Sequence, residues 1–261
     1  MKQRIKLLMA VLLVLATQIV SAQEYNHQLE NIAENGVEFS LSRSGISVEG
    51  YEGNEVIIEN KDYEAPPERA KGLRPLYGGG KDNTGIGLSI EEENGILKVA
   101  QVSSSGGDFV VRVPNKVRIM IEEVNWGGGD TQVKNHDGEI EIKSKTGDIK
   151  LVDITGPVIV SSTTGDADII FTRVSNANPT SISLVGGYID VTMPEATKAD
   201  LEMKTLSGEI YTNMDLSLKD SKEKGMNLMG GGTVEGTLNG GGVDMTLKTI
   251  SGEIYLRKEG S

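Results

Sequence analysis

Residues 138–173 run GEIEIKSKT (138–146), GDIKLVDIT (147–155), GPVIVSSTT (156–164) and GDADIIFTR (165–173). Gly138, Gly147, Gly156 and Gly165 stand nine residues apart, and each opens a segment of alternating side chains. Alternation of period two is the mark of a strand with one buried face. The same offset puts Ile140 and Ile142, Ile149 and Leu151, Val158 and Val160, and Ala167 and Ile169 on that face. Glu141, Lys143, Lys150 and Ser161 project the other way. A fixed period signals units that cannot bury an apolar face alone and must stack on their neighbours.

The spacing relaxes outward from this stretch. Gly187, Gly208 and Gly252 continue the punctuation, and rungs that gain residues in their turns account for the wider steps. DLEMKTLSGEIY (200–211) and DMTLKTISGEIY (244–255) form an internal repeat, identical at eight of twelve positions. Between them SLKDSKEKGMNLMGGG (217–232) reads as a protruding loop. Upstream, Gly45–Gly50 and Glu55–Glu59 look like a first strand pair joined around Glu52-Gly53-Asn54, and strands resume at 87–91, 96–102 and 108–113. Pro66, Pro67 and Pro75 lie within 61–87, too close together for a central strand, so this span reads as a long surface loop.

Two all-β architectures fit. In a parallel β-solenoid two segments make one rung of about 18 residues; in an antiparallel meander each glycine turn is a hairpin, which Asp137-Gly138 would suit. A long meander leaves exposed edges, whereas a solenoid needs terminal caps, a role open to the irregular N-terminal module. The solenoid is the favoured fold. The chain divides into residues 1–22, a module over 23–114 with the long loop 61–87, and a repeat array over 115–261.

Residues 1–22 read as a secretory signal peptide: Lys2, Arg4 and Lys6, an apolar run from Leu7 to Val20, then Val20-Ser21-Ala22, with cleavage after Ala22. The run is too short for the roughly 20 residues that span a bilayer. The chain has no cysteine, which excludes disulfides, thiolate metal sites and a lipoprotein anchor after the apolar run. The mature protein is expected in the periplasm, on the cell surface or secreted, without membrane insertion. Losing three cations and no acid takes the net charge from −12 to −15. That charge repels nucleic acid and anionic lipid.

With these residues in view, the chain resembles a bacterial domain-of-unknown-function family of β-strand-repeat envelope proteins labelled adhesin-like, related to head GIN-domain proteins. Val113-Pro114, the series from Gly147 to Asp166, and LNGGGVDMTLKTISGEIYL (238–256) carry the likeness. The resemblance implies a parallel β-helix, export and no established activity. The 61–87 loop departs from its pattern.

No catalytic residue and no cofactor is assigned. His27 and His136 are the only histidines, and His136 before the Asp137-Gly138 turn reads as a surface residue. Asp148, Asp166, Glu209 and Glu253 each follow a turn glycine, and a solenoid would align them as an acidic column. A β-helix polysaccharide lyase or hydrolase needs convergent carboxylates, but this column obeys the repeat, as a solvated edge does. It also offers oxygen ligands of the kind Ca²⁺ takes, although the calcium-roll pattern is missing. Trp126, Tyr211 and Tyr255 are the candidate contact residues for a surface glycan or an envelope protein. The function expected is that of an exported, non-enzymatic interaction module. A carbohydrate-active enzyme and an envelope scaffold or signalling partner are the rivals.

Overall fold

The structure, a computed structural model, describes residues 23–60, 62–64, 67–70, 72–73, 80–103, 106–218 and 232–260. The expected signal peptide, its cleavage point and residues 219–231 lie outside them. In chain order the first strands are β1 Gln23–Gln28, β2 Gly36–Leu41, β3 Ile46–Tyr51, β4 Glu55–Asn60, β5 Leu88–Glu93, β6 Ile96–Gln101 and β7 Phe109–Pro114. Next come β8 Arg118–Glu123, β9 Thr131–His136, β10 Ile140–Ser144, β11 Ile149–Ile154, β12 Val158–Ser162, β13 Ala167–Phe171 and β14 Thr180–Gly186. The last are β15 Ile189–Met193, β16 Ala199–Ser207, β17 Ile210–Thr212, β18 Ser217–Leu218, β19 Gly232–Leu238, β20 Val243–Ser251 and β21 Ile254–Lys258. The chain is an all-β solenoid of two long sheets. Sheet A runs β1-β4-β7-β3-β9-β11-β13-β15-β21-β17, and sheet B runs β18-β19-β16-β20-β14-β12-β10-β8-β2-β6-β5.

Each rung gives one strand to each sheet. Ile140 lies level with Val158 and Ile149 with Ala167, both in parallel register and 18 residues on. The next step widens to 22, with Val160 level with Ile182 and Ile169 with Val191. The nine-residue period is therefore half a rung, and successive glycines fall at opposite corners. The inward residues of the opening stretch are all within 1% of complete burial. Each large aliphatic so buried contributes roughly 1.5–3 kcal/mol. With no disulfide, this continuous core and the ladders between rungs hold the fold.

Among the described residues antiparallel pairing is confined to the ends: β1–β4, β4–β7 and β5–β6 at one, β16–β19 and β18–β19 at the other. Neither sheet breaks at Pro114, because β2 pairs with β8 and β3 with β9. Two sequence expectations about order are corrected. β3 and β4 are not partners; both edges of β3 are taken by β7 and β9 in parallel, so β4 pairs on the far side of β7. Gly208 does not follow Gly187 in the stack, because β20 and β21 pair with β14 and β15 and leave β16 and β17 outside them. The two repeat copies are thus adjacent rungs in exact register, Asp200 level with Asp244 and Tyr211 with Tyr255.

Candidate functional site

One corner of the rungs, where sheet B turns into sheet A, gathers the expected contact residues. Its spine is the glycine column Gly129, Gly147, Gly165, Gly187, Gly252 and Gly208. A Cβ on each of the last five would lie far inside van der Waals contact with the carbonyl oxygen of the glycine before it in that order. Gly147 and Gly165 also hold φ of 83° and 102°, which side chains disfavour. Close backbone approach is why this corner accepts no other residue type.

The next position forms a second column: Asp130, Asp148, Asp166, Tyr188, Glu253 and Glu209. Asp148 N–H donates to Asp130 Oδ1, Asp166 N–H to Asp148 Oδ1 and Tyr188 N–H to Asp166 Oδ1, each at 2.9 Å. These aspartates therefore cap the neighbouring rung. Tyr188 separates them from Glu253 and Glu209. Among the described residues no group of three or more His, Asp or Glu is arranged to hold a metal ion.

Beside this column, sheet A carries Lys150, Asp168, Asp190, Tyr255 and Tyr211 level with one another on successive rungs. Tyr255 is a packed ring, stacked on Tyr211 at 5.4 Å and 11° and met edge-on by Tyr188 at 6.1 Å. Arg257 lies 5.1 Å from the Tyr255 centroid and donates from Nε to both Asp190 oxygens at 2.9 Å. The Tyr188 hydroxyl donates to Asp168 Oδ2 at 3.3 Å. Burial, then the charges of Asp168 and Asp166, push Tyr188 up to about 12. Burial likewise raises the Asp168 carboxyl, and Asp190 adds to it, against the Tyr188 hydrogen bond. Tyr211 is the open member of the stack, 49% exposed.

On the sheet B side of the same corner, Val185, Ile250 and Leu206 stand side by side on three rungs, 49%, 49% and 58% exposed. Further along, the same position holds Thr163 and Lys145. One rung beyond Lys145, the turn after Glu123 presents Trp126, 63% exposed. Glu123 anchors that turn. Its carboxylate accepts from Gly128 N–H, Ser144 Oγ, Lys145 N–H, Thr146 N–H and Thr146 Oγ1 at 2.6–3.1 Å. Burial works to raise this carboxyl, yet the donors, led by Thr146, hold it below its ordinary value.

Sequence reasoning missed several groups. Tyr188 follows its glycine directly, whereas Tyr211 and Tyr255 stand three places on. Nothing in the sequence sets Asp168, Asp190 and Arg257 apart from other residues at outward positions. His136 is a correction, being fully buried rather than on the surface. Asn135 and Asp153, at equivalent places in adjacent rungs, take φ of 55° and 58° and break the alternation, turning His136 and Ile154 inward. Asn and Asp at a strand end, the types that tolerate this conformation, were the available signal. His136 Nε2 lies 2.9 Å from Val117 O, so it carries the proton, while Nδ1 is buried without a partner. Burial lowers His136 to about 4, although the Val117 hydrogen bond and Asp137 work against it. His27, on β1, lies 3.1 Å from Glu92 instead, so the two histidines form no common site. The 61–87 span is also more than surface loop: Ile86 enters the core, and Asp82 accepts from Tyr63, Thr84, Gly85 and Gly87.

The family profile described as Toastrack DUF4097 matches residues 17–257. Solved structures similar to the chain include a putative cell adhesion protein from Clostridium sporogenes, 12% identical, with 92% of this chain and 100% of that one covered and a TM-score of 0.42. A putative adhesin from Parabacteroides distasonis is 10% identical, with coverage of 91% and 98% and a TM-score of 0.29. One from Bacteroides fragilis is 11% identical, with coverage of 90% and 95% and a TM-score of 0.25. No curated protein matches the chain.

Proposed function

The chain belongs to the Toastrack DUF4097 family, and from that footing we propose that it is an exported, non-enzymatic interaction module of the cell envelope. The glycine corner is its contact surface. The observation that carries this reading is the apolar line Val185–Ile250–Leu206 left in solvent beside the tyrosine stack, across three consecutive rungs. Aliphatic side chains at outward positions add little to the stability of a solvated sheet, and a contiguous patch of them marks an interaction site. Trp126 on its anchored turn extends the same corner.

Multivalent weak contacts along a straight edge suit a partner with its own repeat, such as a surface glycan or an envelope protein. Export rests on the N-terminal sequence; among the described residues no helix is long and apolar enough to cross a membrane. The non-enzymatic reading is supported by the engagement of the corner's charged groups with one another: Asp190 with Arg257, Asp168 with Tyr188, and the aspartate column with backbone N–H groups. Glycan-array and whole-cell binding of the mature protein tests the proposal, with Trp126→Ala and Ile250→Ser in parallel. Binding weakened by both substitutions is expected. Binding to no surface at all, or turnover of an array glycan, would sink it.

A further inference from the structure

At the end of the solenoid that holds β16 and β17, the two sheets are of unequal length. Sheet B continues beyond β16 with β19 and β18, while sheet A stops at β17. The other end is closed on both sheets by antiparallel strands. Among the described residues no strand pairs with the outer edge of β17. Among the described residues, sheet A thus ends about two strands, roughly 10 Å, short of sheet B.

Three observations say what fits there. The rung 244–255 accepts the rung 200–211 on its outer side, and the two are identical at eight of twelve positions. The outer edge of β17 therefore repeats the sheet A edge of β21 that already binds a strand. Second, the bonds from Ile254 N–H to Glu209 O and from Asn213 N–H to Leu256 O commit the odd-numbered groups to β21. Alternation in a parallel ladder then turns the N–H and C=O of Ile210 and Thr212 outward. Third, the side chains at this step lack cover: Ile210, Val234 and Leu216 are only partly buried, whereas Ile254 and Ile189, level with Ile210, are fully buried. Tyr211 offers the ring face that Tyr255 offers to Tyr211.

We infer that the β17 edge is a strand-addition site for an extended segment of another polypeptide, parallel to β17. The segment places an aliphatic side chain over Ile210 and an aromatic one on Tyr211, with a glycine at the level of Gly208. Backbone pairing supplies affinity in this mode, and alternate side chains supply selectivity. A second copy does not fit, because joining two β17 edges would drive each copy's β19 and β18 into the other, and both mature chains carry −15. The inference shares Tyr211 with the surface-binding proposal but is distinguishable from it, since Trp126, Val185 and Ile250 take no part in it.

Fluorescence anisotropy with a labelled TISGEIYLRK peptide, the sequence of residues 249–258, tests the site on the mature full chain. Saturable binding is expected. N-methylation of the peptide tyrosine, whose N–H would meet Ile210 O, should weaken it at least about tenfold, the scale of one lost backbone bond with the steric block. Tyr211→Ala should weaken it several-fold with folding checked by thermal melting, while Trp126→Ala leaves it unchanged. No saturable binding overturns the inference. So does equal binding of a scrambled or N-methylated peptide, because either shows that strand pairing is not involved.

Discussion

The central rungs, β10 to β13, and the last three rungs, β14–β15, β20–β21 and β16–β17, solve the backbone problem identically. Both stack glycine on glycine at the corner, and both bury a continuous apolar line, mostly Ile, Leu and Val in the central rungs and with Met193, Met203 and Met245 added in the last three. The larger difference is outside. Where the central rungs place Lys145 and Thr163, the last three place Val185, Ile250 and Leu206, and where the central rungs place Lys150 and Asp168, the last two place Tyr255 and Tyr211. The inward positions and glycines specify a solenoid without specifying its surface. A surface that departs from polar on three adjacent rungs therefore calls for an explanation outside folding.

The largest expected effect tests whether the framework is shared. Gly165→Ala in a central rung and Gly187→Ala in an end rung each put a Cβ against a glycine carbonyl, at φ of 102° and 114°. Both should cost about 3 kcal/mol or more in urea unfolding, from steric overlap together with backbone strain. A clearly smaller loss at Gly187 would break the equivalence of the two regions.

His136 sharpens the comparison from the opposite corner. Its folded pKa, about 4, lies below the ordinary 6.5, so its contribution to stability is present above pH 6.5 and is lost as pH falls toward 4. By linkage the loss reaches about 2 kcal/mol at pH 5 and about 3 kcal/mol below pH 4. Unfolding of wild type and His136→Gln at pH 8 and pH 5 isolates this share, since other groups titrate alike in both. The wild type should lose about 2 kcal/mol more than the variant. Equal losses would mean that the histidine is solvated.

Inward alternation and glycine stacking were legible in the sequence because both follow fixed local periods. Tyr211 and Tyr255 stood out because the repeat copies them. Rung order was not legible. The copies at 200–211 and 244–255 read as equal candidates for the place beside β14 and β15, and the pairing of β20 and β21 there leaves 200–211 outermost, under the antiparallel β19. The buried His136 was hidden because a single left-handed residue, Asn135, shifts the inward phase by one. Glu123 could not be recognised as an anchor, since its donors Ser144, Lys145 and Thr146 belong to the following rung.

Glu123→Gln should cost about 2 kcal/mol, because the amide nitrogen would face backbone N–H groups that now meet a carboxylate. Trp126 reports the change: its fluorescence should shift toward that of a freer side chain below the unfolding transition. An unchanged spectrum would separate the anchor from the turn.

The smallest effect on stability belongs to the substitution that most directly exchanges the two regions. Val185→Thr, Ile250→Thr and Leu206→Thr together give the end corner the residue type of Thr163 in the central one. These positions are outward, and threonine suits a strand. Each change should therefore move stability by no more than about 0.5 kcal/mol, the range of ordinary surface substitutions. If the apolar line exists for a partner, the triple variant melts as the wild type does and yet loses glycan or whole-cell binding. A large drop in melting temperature would instead show that these side chains serve the fold. The two corners would then differ in packing rather than in purpose.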